Sequence, residues 1–160
     1  MPTTLFIISI LLIALTLLLL FRPYVPASAT AYAAMLAGQF SGRAGIPDSQ
    51  LIFWASATVI VLGISAMLPK ALIQTSRGTS YISGATITGG IAGLALSGAT
   101  IITGCAIGAF LGALAYSRTG SGKALAFPSS EFLQFLCAKG LPSTVAVSII
   151  CTTATYFFKL

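Results

Sequence analysis

Forty consecutive residues, Gly78 to Ser117, carry no Asp, Glu, Lys or Arg. One straight helix of that length would run about 60 Å, twice the hydrocarbon thickness of a bilayer. The segment therefore has to fold back, and the sequence indicates where. Ser83-Gly84-Ala85-Thr86 recurs as Ser97-Gly98-Ala99-Thr100, and Ile87-Thr88-Gly89-Gly90 resembles Ile102-Thr103-Gly104-Cys105. Ser97-Gly98 can stop one helix and start the next. The expectation is two close helices, Thr79–Leu96 and Gly98–Tyr116, joined by a tight turn.

Each of these helices bears small residues at steps of four: Ala85, Gly89, Gly93 and Ser97 on the first, Thr100, Gly104, Gly108 and Gly112 on the second. A step of four keeps them on one helix face, and small side chains let two backbones touch. Lipid offers no hydrophobic drive for helix pairing, so such contact has to supply the attraction. Gly also costs roughly 1 kcal/mol relative to Ala in a helix in water. The expected helix-packing residues are Ala85, Gly89, Gly93, Ser97, Gly104, Gly108 and Gly112. Packing within the chain is the simplest use of the stripes; self-association and a backbone-lined pore are the alternatives.

Composition extends the same reading to the whole chain. Of 160 residues 57% are hydrophobic and only 6% charged, with eight Lys or Arg, two acids and no His. So little polar surface cannot cover a water-facing globule, and so much apolar surface is incompatible with disorder. The expected class is an all-α integral membrane protein, a single transmembrane helical domain over 1–160, with five or six hydrophobic helices.

Leu5 to Phe21 is apolar apart from Ser9 and Thr16 and long enough to cross. Ala27-Ser28-Ala29 resembles a signal-peptidase site, but Met1-Pro2-Thr3-Thr4 lacks the basic residue of a signal peptide, so a retained span is expected. Pro23 and Pro26 end that helix, with Arg22 and Tyr24 suited to headgroup level. Ala27 to Phe40 reaches only about 21 Å as a helix, short for a span. Ser41 to Gln50 reads as a loop and Leu51 to Leu68 as a second span, with Phe53 and Trp54 as an aromatic belt. Ala71 to Gly78 is a short connection. Past the basic loop Arg118–Lys123, Ser129-Ser130-Glu131 reads as a helix start. Phe132, Leu133, Phe135 and Leu136 then form an apolar face opposite Glu131, Gln134 and Lys139, the pattern of a short interfacial helix. Ser143 to Phe158 is the last span, its Ser and Thr hydroxyls able to bond backbone carbonyls or a neighbouring helix.

Positive charge orients such a chain. If Ala27–Phe40 crosses, Arg22, Lys70, Arg77, Arg118, Lys123 and Lys139 share one side against Arg43 and Lys159. If it does not, Arg22 changes side and the bias falls to five against three. Both arrangements place the 118–139 loop in the cytoplasm and the C-terminus outside.

Several chemistries lack their residues. Without His there is no imidazole base or ligand. Asp48 and Glu131 stand in loop-like stretches, each with a structural reading. Cys105, Cys137 and Cys151 show no metal or disulfide spacing. Arg118-Thr119-Gly120-Ser121-Gly122-Lys123 departs from a phosphate loop at Ser117 and Ala124. No catalytic, cofactor-binding or metal residue is expected, no cofactor, and no nucleic-acid partner.

The block Gly108-Ala109-Phe110-Leu111-Gly112-Ala113-Leu114 resembles the bacterial membrane proteins of the domain of unknown function family 456. The order of parts is similar too: an N-terminal span, the turn at Pro23 and Pro26, a short helix near Tyr32-Ala33, a second span, the glycine pair, a basic loop and a last span. That family often has an acidic residue where Ala113 stands here. The resemblance implies a bacterial inner membrane location and no assigned activity. Taken together, the residues point to a structural or accessory helix bundle packing through glycine stripes. Its partners would be the lipid bilayer and either a second copy or a larger membrane complex. The alternative is a small channel or transporter for a neutral solute or lipid.

Overall fold

The computed structural model describes residues 2–22, 26–74, 77–125 and 127–159. The Pro23 and Tyr24 part of the expected turn lies outside them. Among these residues eight α-helices follow in order: α1 (Pro2–Leu19), α2 (Ala27–Phe40), α3 (Asp48–Met67), α4 (Lys70–Gln74), α5 (Thr79–Leu96), α6 (Ile101–Ser117), α7 (Ser130–Phe135) and α8 (Leu141–Phe158). Among the described residues there is no strand. The chain is an all-α membrane protein, and four of its helical stretches are long and apolar enough to cross a bilayer. Their outer faces carry Ile7, Leu11, Leu18, Ile52, Val59 and Ile60, all exposed. Only a lipid solvent accommodates such a surface without aggregation.

The short α2 runs antiparallel to α1 over most of its length. Thr16 Oγ1 donates to Thr30 Oγ1 at 3.1 Å near one end, and Ser9 Oγ donates to the Ala34 carbonyl at 2.7 Å further along. Just past α2, the Arg43 guanidinium lies 4.9 Å from the centre of the Phe6 ring, and Phe6 meets Phe157 of α8 edge-on at 5.2 Å. The Ser9 and Thr16 hydroxyls, both buried, each find an acceptor across the α1/α2 pair, as a low-dielectric interior favours. At the opposite end Ser83 Oγ of α5 donates to the Leu20 carbonyl at 2.7 Å.

These contacts sort the charges by end. Arg43, Lys159 and the start of α3 at Asp48 gather at the end holding the Ser97–Gly98 turn. Arg22, Lys70, Arg77, Arg118, Lys123 and Lys139 gather at the other, with Glu131. The two carboxylates therefore sit at opposite ends and cannot act as a pair.

Three local expectations change. The sequence reading separates an interfacial helix at 131–139 from the last span, whereas α7 passes through a π-helical turn, Leu136–Gly140, straight into α8. Ser129 caps α7 as expected, accepting from the Phe132 amide at 3.1 Å. Phe132 and Phe135 then turn inward and Lys139 is buried with them, because rings from α6 offer a better surface than the headgroup layer. Trp54 also faces inward rather than joining a belt; Phe53 alone stays on the outer surface. Finally, the connection after Leu68 contains the single-turn helix α4.

Candidate functional site

The most extensive helix pairing is α5 against α6, and its register follows the four-residue steps. A Cβ built on Gly89 would land on the Gly104 carbonyl oxygen, and one on Gly104 would land on the Gly89 carbonyl oxygen. One turn further, a Cβ on Gly108 would land on the Ala85 carbonyl oxygen. At the next turn a Cβ on Gly112 would stand 2.6 Å from the Tyr81 carbonyl oxygen and 2.9 Å from Ile82 Cα. In the other direction, a Cβ on Gly93 would stand 2.6 Å from the Thr100 carbonyl oxygen. Six of the seven expected packing residues thus lie along one seam of backbone-to-backbone approach. The atoms met are main chain, which no rotamer change can move aside.

Ser97 stands apart. It is exposed and extended, closing α5 through its amide to the Gly93 carbonyl at 3.0 Å. Thr100 does the remaining work of the turn: its hydroxyl lies 2.7 Å from the Gly93 carbonyl oxygen and 2.9 Å from that of Ser97. A 3₁₀ turn, Gly98–Thr100, leads into α6. Position 97 continues the spacing of the stripe but falls where the helix has already ended.

The seam leaves an open groove of about 510 Å³ on its outer side, flanked by Thr88, Ala92, Thr103 and Ile107. α5 runs unbroken through Gly89-Gly90, and α8 packs there: a Cβ on Gly90 would meet Val147 Cγ1 at 2.8 Å and Cys105 Sγ at 3.0 Å. Another close approach escaped the sequence reading. Gly38 of α2 admits the Phe157 ring, whose Cζ would lie 2.6 Å from a Cβ at that position. A lone glycine in a short Ala-rich helix gives no periodic signal.

A different feature marks the cationic end. A cavity of about 150 Å³ lies among α1, α2, α3, α5 and the π turn before α8, with Arg22, Ser28, Ser65, Thr79, Lys139 and Ser143 among its polar lining. Lys139 Nζ donates to the Ile73 carbonyl at 2.7 Å. The Ser28 and Thr79 hydroxyls are buried and have no hydrogen-bond partner among the described residues. The sequence signals were present but separate: Ser28 and Thr79 each follow a helix break, and Lys139 interrupts an apolar run.

No family model, curated protein or solved structure matches the chain.

Proposed function

We propose that the chain is a structural or accessory helix bundle of a membrane, assembled through the α5/α6 glycine seam. The reciprocal approach of Gly89 and Gly104 carries this reading. A backbone contact so close is a packing device, and its outer groove offers the same small-residue surface to a second copy or a foreign subunit. The channel reading draws less support, because transport paths use broken helices or ionisable groups near the midplane. Here α5 is continuous, and the only helix break in the pair is the Ser97–Gly98 turn at its end.

In the same proposal, α2 crosses alongside α1 and the six-cation end faces the cytoplasm. Both termini of the described chain then lie outside. The order of parts shared with the family 456 membrane proteins supports a bacterial inner membrane as the location.

The test is extraction in mild detergent followed by mass measurement of the intact complex. The chain should travel in fixed ratio with a foreign subunit or with copies of itself. A strictly monomeric chain that makes liposomes permeable to glycerol would contradict the accessory reading and favour the channel.

A further inference from the structure

We propose that the cavity at the cationic end binds a phosphate-type oxyanion, with Arg22 and Lys139 supplying charge and the Ser28 and Thr79 hydroxyls donating hydrogen bonds. The inference does not depend on how the bundle assembles. It rests first on the two hydroxyls. Ser28 is 0% exposed and Thr79 5%, both line the cavity, and neither has a partner among the described residues. A buried hydroxyl left unmatched forfeits the hydrogen bond it makes in water, so a bound acceptor would recover what the fold gives up at two places.

The surroundings select the sign of that acceptor. Ser28 lies in the first turn of α2 and Thr79 is the first residue of α5, helices of 14 and 18 residues. Neither helix has a side-chain cap; Pro26 and Gly78 precede them. Each start therefore brings the positive end of a helix dipole to the border of the same hollow. Lys139 is 6% exposed and donates to the Ile73 carbonyl at the edge of the hollow. Arg22 edges the cavity from its exposed side. No Asp or Glu is among the lining residues. Two hydroxyls, two helix starts and two cations thus border the hollow. A tetrahedral oxyanion accepts from such a set, whereas a metal ion or an amine does not. The volume is an order of magnitude above the roughly 10–15 Å³ that one water needs, enough for a phosphate group. The lining is apolar on the side of Leu19, Leu20 and Leu62, as suits a group entering from the bilayer.

The phosphate could belong to a lipid headgroup or to a free ion, and one experiment separates them. The purified full chain in a neutral detergent is titrated with dioctanoyl phosphatidylglycerol and, separately, with inorganic phosphate, while binding is followed by thermal stability and by mass of the intact complex. Ser28→Ala and Thr79→Ala are run beside the parent. Removing an unpartnered hydroxyl leaves the fold intact, so both variants should match the parent without ligand. The expected result is saturable binding that weakens at least fivefold in each variant. Saturation by the lipid alone assigns a headgroup; saturation by inorganic phosphate as well assigns a free anion. Lys139→Gln should weaken binding further. Absence of saturable binding with both probes, or equal affinity in Ser28→Ala, Thr79→Ala and the parent, overturns the proposal.

Discussion

Gly104→Leu and Gly108→Leu should each destabilise the bundle by about 3 kcal/mol or more, while Gly84→Leu leaves it near the parent value. The three substitutions add the same side chain within the same helix pair. What differs is the atom the new Cβ meets. At Gly104 it is the Gly89 carbonyl oxygen and at Gly108 the Ala85 carbonyl oxygen. At Gly84, one residue before Ala85, nothing lies within 4 Å. A flexible side chain could yield, but a carbonyl held in a helix ladder cannot, so α5 and α6 would have to separate along their length. Separation removes the dispersion contact that replaces hydrophobic drive inside lipid. Unfolding in graded mixtures of mild and harsh detergent reads the difference directly. Equal midpoints for Gly104→Leu, Gly108→Leu and Gly84→Leu would show that the seam does not hold the bundle.

Phe132→Ala is the second large effect, at about 3 kcal/mol. Phe132 is 0% exposed and meets Phe110 of α6 at 5.9 Å and Phe127 at 5.3 Å, both edge-on. Phe110 and Phe127 close the triangle at 5.8 Å. Beside it, Phe135 stacks on Tyr116 at 5.4 Å, which in turn touches Tyr81 of α5. Such ring pairs add roughly 0.5–1.5 kcal/mol each beyond the area they bury. The cluster pins α7 and the π turn against the α5/α6 pair, so truncating its centre leaves a ring-sized void that helices on either side cannot fill. Leu133→Ala, at an exposed neighbour, should cost far less. Detergent unfolding of the two variants checks this. Equal loss in both would mean that α7 is not anchored by its rings.

The helix boundaries were largely legible in the sequence, because charge and proline are confined to the breaks. Thr79–Leu96 and Ala27–Phe40 end where Arg77, Gly78, Pro26 and the Ser41–Pro47 loop place them. The seam was legible for a related reason: glycine at four-residue steps has few other uses in a helix. What each remaining face touches was far less legible. In a lipid-embedded bundle the outside is as apolar as the core, so no 3.6-residue polar stripe tells inward from outward. Trp54 and Phe132 read equally well as interface residues, and only the three-dimensional packing turns them in. Ser97 shows the converse, a residue in step with the stripe that lies beyond the helix end. The cationic cavity joins residues from 22 to 143, a distance over which sequence spacing carries no information.

A bundle of this kind crosses the membrane with its two charged ends on opposite faces. Thiol labelling of single-cysteine variants in intact cells tests it most directly. Ser49, at the start of α3, and Ser121, after α6, are both exposed and lie at opposite ends. With the three native cysteines replaced, a membrane-impermeant maleimide should label Ser49→Cys from outside and reach Ser121→Cys only after the cells are opened. Labelling of Ser121→Cys alone from outside would reverse the orientation. Labelling of both from the same side would contradict a bundle that crosses.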